Sequence, residues 1–298
     1  MYESTELRID TMRTLRKILE EAKQKKIAVG HFNISDLAGF KAITATAKEL
    51  DLPILIGVSE GEREFVGVAE AAALVKAMRE SYGQEVYLNA DHTHSLEKIE
   101  AAVRAGFDEV IADFSELPFD ANVKQTRAAV ELAKSINPNV LVEGEIGWIG
   151  SGSEIHDKAP ENIALSTVEE AKQFIAETKV DILAPAVGTM HGLTASMASG
   201  SEHKRLNIER IKEIREAIGI FMTLHGGSGT ADDDFVAGVK AGLTIVHVNT
   251  EIRIAWRKGV EAGLAKDAHE VAPYKILLPA VADVKEVVKN RLKLFSGL

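Results

Sequence analysis

His92, His191 and His225 each close a short apolar run and open a loop, which places three imidazoles at the same end of separate strand-like segments. Imidazole is the commonest side-chain ligand for zinc, and three protein ligands with one position left open is the catalytic form of such a site. The spacing does not say which histidine meets which. No HExxH occurs, so a helix-borne protease site is excluded. The chain has no cysteine, which excludes thiol nucleophiles, iron–sulfur clusters and Cys-ligated zinc. A second signal is HGGSG (225–229), with VNTE (248–251) on the run that follows. Glycine-rich loops of this kind bind phosphate through backbone N–H groups. They equally serve as plain strand-to-helix turns that need positive φ.

The elements that must position these residues recur along the chain. Eight β-branched runs cover 27–33, 53–59, 86–92, 109–115, 140–147, 181–188, 220–227 and 245–251. Amphipathic helical stretches such as DLAGFKAITATAKEL and NVKQTRAAVELAKSI lie between them. Strand alternating with helix means βαβ units and a parallel sheet. Eight repeats predict one α/β domain over residues 1–298, a closed (β/α)8 TIM barrel, with an open doubly wound sheet as the alternative. In such a barrel the active site lies at the C-terminal strand ends, and every run here delivers a polar group there. No lysine stands at any of those ends, which disfavours Schiff-base chemistry.

The remaining sequence adds context. Leu15, Ile18, Leu19 and Ala22 recur at helical spacing near the N-terminus, and that segment has no signal-peptide core. Residues 148–165 and 192–206 are long loops that read as lids. With 35 basic against 45 acidic residues, a net charge of -10, nucleic acid and anionic membranes are poor partners. No run is long enough for a membrane span, so the expected location is the cytoplasm.

NADHTHSLEKIEAAVRAGF, VEGEIG, VGTMHG, LHGGSG and VNTEIR, in this order, resemble the class II, zinc-dependent fructose-bisphosphate/tagatose-bisphosphate aldolases over nearly the whole chain. The resemblance implies a (β/α)8 barrel and a zinc cofactor held by His92, His191 and His225. It makes Asp91 the acid that protonates the aldehyde oxygen. Asp113 and Glu145 match acids at a second or alternative metal position. Gly192, Gly226, Gly227, Ser228 and Thr250 match positions that hold the dihydroxyacetone-phosphate half, and Asn33 and Ser59 match positions near the substrate. Glu154 is the candidate for the family's loop-borne general base. A phosphorylated sugar substrate and a homodimer or homotetramer are implied as well.

Departures from the family's motifs bear on the substrate. His247 stands where the family has a phosphate-contacting Asn, and Asn249 holds the third position of that motif. Leu193-Thr194 replace a Tyr-Lys pair. Pro273-Tyr274-Lys275 match a motif whose Arg meets the distal phosphate, so that Arg is missing, and Lys275, Arg63, Lys204 and Arg205 are the candidate replacements. The expected reaction is cleavage of fructose 1,6-bisphosphate through a zinc-stabilised enediolate. The alternatives are the same chemistry on tagatose bisphosphate or a singly phosphorylated ketose, a metal-dependent hydrolase, and a non-catalytic barrel that binds a phosphorylated ligand.

Overall fold

The computed structural model describes residues 12–150, 152–158 and 164–298. All eight runs form strands: β1 (Val29–Asn33), β2 (Ile54–Val58), β3 (Val86–Thr93), β4 (Glu109–Ala112), β5 (Leu141–Ile146), β7 (Ile182–Pro185), β9 (Phe221–Leu224) and β10 (Ile245–Val248). They are parallel and close on themselves in the order β1-β10-β9-β7-β5-β4-β3-β2. The architecture is therefore the expected (β/α)8 barrel and not an open sheet. No helix of the described residues is long and apolar enough to cross a membrane.

Strand side chains alternate between two faces, so residues two apart share the barrel interior. The lowest interior layer is apolar: Val29, Leu55, Tyr87, Leu141, Ile182, Phe221 and Ile245 pack with Leu15, Ile18, Leu19 and Ala22 of the helix Leu15–Lys25. The expected N-terminal helix thus plugs the bottom of the barrel. Burying each of its large side chains is worth roughly 1.5–3 kcal/mol. Two residues further up, the interior turns polar with His31, Asn89, Glu143, Thr223 and His247, all buried. Two more residues bring Asn33, Asp91 and Glu145, with Ser59, His225 and Asn249 just past their strands. The candidate site is the top layer of this stack. Gly57 makes room within it, because a Cβ there would lie 2.1 Å from the His31 ring.

The opposite strand faces carry the larger core against the surrounding helices, which include Leu37–Leu50, Thr250–Lys266 and the C-terminal Leu278–Ser296. Local chemistry starts these helices where the strands hand over. Asp36 caps Leu37–Leu50 by accepting from Gly39 N at 2.7 Å. Ser59 and Glu62 form a reciprocal capping box on Glu60–Val66.

The two long loops are tied to each other. Ile155–His156 (β6) and Leu193–Thr194 (β8) pair as a small parallel ribbon, Ile155 opposite Leu193 and His156 opposite Thr194. Residue 151 and residues 159–163 of the first loop lie outside the described residues.

Candidate active site

Asp91 and His92 are consecutive, so regular strand alternation would turn one of them away from the cleft. The register between β3 and β4 shifts between Ala90 and Thr93, and His92 adopts φ 39°. That irregularity lets both side chains line the same cleft. A non-glycine residue in this conformation costs about 1–3 kcal/mol and needs support. Arg63 supplies it. The guanidinium is buried, donates to the carbonyls of Val58 and Asp91, and reaches Thr93 Oγ1 at 3.0 Å.

The three histidines converge. The ring centre of His92 lies 4.7 Å from that of His191 and 4.8 Å from that of His225. Donor atoms of His92, His191, His225 and Glu145 all lie within 4.8 Å of one another. Two of these imidazoles are oriented by carboxylates. His92 Nδ1 is 2.7 Å from Asp113 Oδ2, and His225 Nε2 is 2.6 Å from Glu143 Oε1. A ring nitrogen that donates to a carboxylate leaves the other with a lone pair, the usual arrangement behind a metal-ligating histidine. His225 Nδ1 and Glu145 Oε2 are buried, lack a hydrogen-bond partner and face each other at 3.4 Å.

The electrostatics favour a cation. Burial, then repulsion from Asp113, pushes the Glu145 carboxyl up to about 8. Burial alone would lower His92, but Asp91, Asp113 and Glu145 raise it well above the ordinary range. His191 goes the other way: burial, then the charges of His92 and His225, hold it well below. Burial would raise Asp91, yet His92, His247 and His31 together hold it well below the usual carboxylate value. Four carboxylates around three imidazoles, with His225 Nδ1 and Glu145 Oε2 unpartnered, fit a divalent ion.

Beside this cluster lies a cleft lined by Gly192, Gly226, Gly227, Ser228, His247, Asn249 and Thr250, together with Asn33, Asp91, His92 and His191. Gly226 sits at φ 62° with its Cβ position only 2.4 Å from Met190 O, so glycine is required for the two loops to touch. Asn33 reaches Asp91 Oδ2 at 2.8 Å and Glu62 at 2.7 Å, which makes it the residue that aims Asp91. Ser59 lines the outer cleft while it caps its helix.

Several of the expected residues lie outside the donor cluster or the cleft. Asp113 is not in the donor cluster, because its carboxylate is taken by His92 and by Ser115 Oγ at 2.8 Å. Glu154 is exposed and does not line the cleft; its carbonyl accepts from Leu193 N at 2.9 Å, and its neighbour Ser153 lines the cleft instead. None of the four candidate distal cations faces the cleft. Arg63 and Lys204 are buried on backbone carbonyls, Arg205 pairs with Asp233 and Asp234, and Lys275 pairs with Glu270. Arg253 does line it, donating to Glu62 Oε1 at 2.9 Å and Ser153 O at 3.2 Å. Its place in VNTEIR, four residues past the interior-facing Asn249, was the available signal. Glu143, two residues before Glu145 and so on the same strand face, is a polar strand-end group to which the sequence assigns no role; the fold sets it on His225.

A parallel barrel that brings a histidine-rich metal-type centre against a glycine-rich anion cradle defines a class of metal-dependent enzyme for phosphorylated small molecules. The family described as "Fructose-bisphosphate aldolase class-II" matches residues 13–297. The chain is 34% identical over 287 residues to the fructose-bisphosphate aldolase of Geobacillus stearothermophilus, covering 95% of this chain and 96% of that one. It is also 34% identical to the probable fructose-bisphosphate aldolase of Bacillus subtilis, over 95% and 97% of the two chains. The chain belongs to the class II fructose-bisphosphate aldolase family and is an aldolase, a carbon–carbon lyase. Solved structures agree on the fold. The YdjI aldolase of Escherichia coli K12 aligns with TM-score 0.80 at 23% identity, over 96% and 97% of the chains. A putative fructose-1,6-biphosphate aldolase from Coccidioides immitis gives TM-score 0.81 at 22% identity, over 94% and 95%.

Proposed function

We propose that this chain reversibly cleaves fructose 1,6-bisphosphate to dihydroxyacetone phosphate and glyceraldehyde 3-phosphate. The observation that carries the reading is the pair of orphaned atoms, His225 Nδ1 and Glu145 Oε2, gathered with His92 and His191 beside the glycine cradle. These residues would hold zinc, with the Glu145 carboxylate at hand for a second or alternative position. A bound divalent ion supplies Lewis-acid polarisation of the substrate's carbonyl and neighbouring hydroxyl oxygens.

The chain's own groups do the rest. Gly192, Gly226, Gly227, Ser228, Asn249 and Thr250 hold the phosphate nearest the ketone. Asp91, aimed by Asn33, takes the proton of the C4 hydroxyl as the C3–C4 bond breaks. The electron pair stays on the dihydroxyacetone half, and C4 becomes the aldehyde carbon. In the condensation direction Asp91 returns that proton to the aldehyde oxygen, as microscopic reversibility requires. Glu154 is assigned the proton transfer at C3, which requires its loop to fold inward over bound substrate.

At the far end Arg253 is the lysine or arginine that lines the cleft among the described residues, and it is our candidate for the distal phosphate. Tyr274, in the place of the missing Arg, is 73% exposed and offers no charge or bidentate fork. That supports a second reading with the same chemistry on a singly phosphorylated ketose. Zinc as the metal, use in glycolysis, a cytoplasmic setting and a homodimer or homotetramer belong to the main reading, supported by family membership. A panel of fructose 1,6-bisphosphate, tagatose 1,6-bisphosphate and fructose 1-phosphate, assayed with zinc-loaded protein, tests it. The highest kcat/KM is expected for fructose 1,6-bisphosphate. A fructose bisphosphate to fructose 1-phosphate ratio near one would shift the reading to the monophosphate.

A further inference from the structure

Lys204 is 4% exposed, yet no acidic group of the described residues lies within ion-pair distance of it. Its Nζ instead donates to three backbone carbonyls: Met190 at 2.6 Å, Gly192 at 2.7 Å and Gly226 at 2.9 Å. Those carbonyls flank two candidate metal ligands, His191 and His225, and belong to two loops of the glycine cradle. The lysine backbone is fixed as well, since its N–H donates to Gly229 O at 2.9 Å and its carbonyl accepts from Ala231 N at 3.2 Å.

We propose that the Lys204 ammonium is a built-in monovalent cation: it clasps the His191 and His225 loops from behind and leaves there a positive charge that the substrate phosphate neutralises. Three acceptors with no donor among them require three N–H groups, and only the charged amine has three. Burial pulls the Lys204 pKa down to about 7, partly opposed by Glu251, and the three carbonyl acceptors can all be satisfied only by the protonated amine. A buried charge is normally paired with an opposite one. Here no carboxylate of the described residues pairs with it directly, Glu251 acting only from beyond ion-pair distance, and the direct partner in this proposal is the ligand, a phosphate held on the other side of the same loops. Three carbonyls converging on one point also make the kind of cage that an alkali ion occupies. Lys204 fills it, so the cradle needs no dissolved cation. Lys204 is a positioning residue, acting through the loops it ties.

The phosphate half of this inference rests on the aldolase reading, but its test does not require turnover. Binding of inorganic phosphate and the melting temperature are measured on zinc-loaded protein at constant ionic strength, in potassium, ammonium and tetramethylammonium chloride. Wild type should be indifferent to the cation. Lys204→Met keeps the length and loses the charge, so phosphate should bind about tenfold or more weakly in every salt. Lys204→Ala empties the cage, so potassium or ammonium should restore both melting temperature and phosphate affinity, whereas tetramethylammonium is too large to do so. Where cleavage is measurable, the loss should fall on KM and leave kcat within a few fold. Lys204→Met that binds phosphate like wild type would overturn the proposal, and so would Lys204→Ala that responds equally to all three cations. If Lys204→Ala folds only with potassium or ammonium, the proposal is supported; if it folds in none of the three, the proposal fails. Absence of sugar cleavage by wild type would refute the aldolase reading while leaving these binding and melting results intact.

Discussion

The two ends of the cleft are built in opposite ways. At the metal and proximal-phosphate end nearly every group is buried and fixed by another: Asn33 aims Asp91, Glu143 aims His225, Asp113 aims His92, and Arg63 props the irregularity that presents Asp91 and His92. At the distal end the cleft opens outward. Arg253 there has 43% of its side chain exposed and shares its guanidinium between Glu62 and a loop carbonyl. Reaction chemistry needs fixed geometry, because a small misplacement of reacting groups is costly in rate. Recognition of the far half of a substrate tolerates a looser, solvent-screened contact. The difference teaches that this chain specifies its reaction more tightly than its substrate.

Mutations should follow that gradient. Asp91→Ala should retain metal and lose roughly 10²–10⁴-fold in kcat, the range of a general acid–base group. A fall below about tenfold, read by steady-state cleavage, removes Asp91 from the chemistry. Glu143→Gln keeps the size of the group that holds His225 and weakens its hold, so metal affinity or activity should drop roughly 10–100-fold. Unchanged zinc affinity in a chelator-competition titration would show that His225 needs no such support. Arg253→Ala should act least, raising KM for fructose 1,6-bisphosphate about threefold to tenfold, as expected of a partly exposed ionic contact. Its KM for fructose 1-phosphate should barely move. Equal effects on both substrates would take Arg253 away from the distal phosphate.

The barrel was legible because its physics is periodic. Eight apolar runs with helices between them dictate a parallel sheet and favour a closed one, and period-two alternation sorts Val29, His31 and Asn33 into successive interior layers. The three histidines and the glycine cradle were legible from their places at strand ends. The parts that were not legible break periodicity or depend on contacts remote in sequence. The β6–β8 ribbon has two residues per strand, too few to show a pattern, and it joins loops about 38 residues apart in the chain. The φ 39° of His92 leaves no mark in residue type. Composition names Arg63 and Lys204 as cations, but only the fold shows that both are turned inward onto carbonyls while Arg253 meets the cleft. The family resemblance sets Asp113 at a second or alternative metal position, whereas only the fold shows its carboxylate held by His92 Nδ1.

The central claim is that His92, His191, His225 and Glu145 form a metal centre on which sugar cleavage depends. The most direct test measures release of dihydroxyacetone phosphate from fructose 1,6-bisphosphate by protein stripped with a chelator and then titrated with zinc, for wild type and for His225→Ala. Wild-type activity should vanish on stripping and return as about one zinc per chain is added. His225→Ala should neither retain zinc nor recover. Full cleavage by stripped wild type, or normal zinc content with normal activity in His225→Ala, would contradict the account.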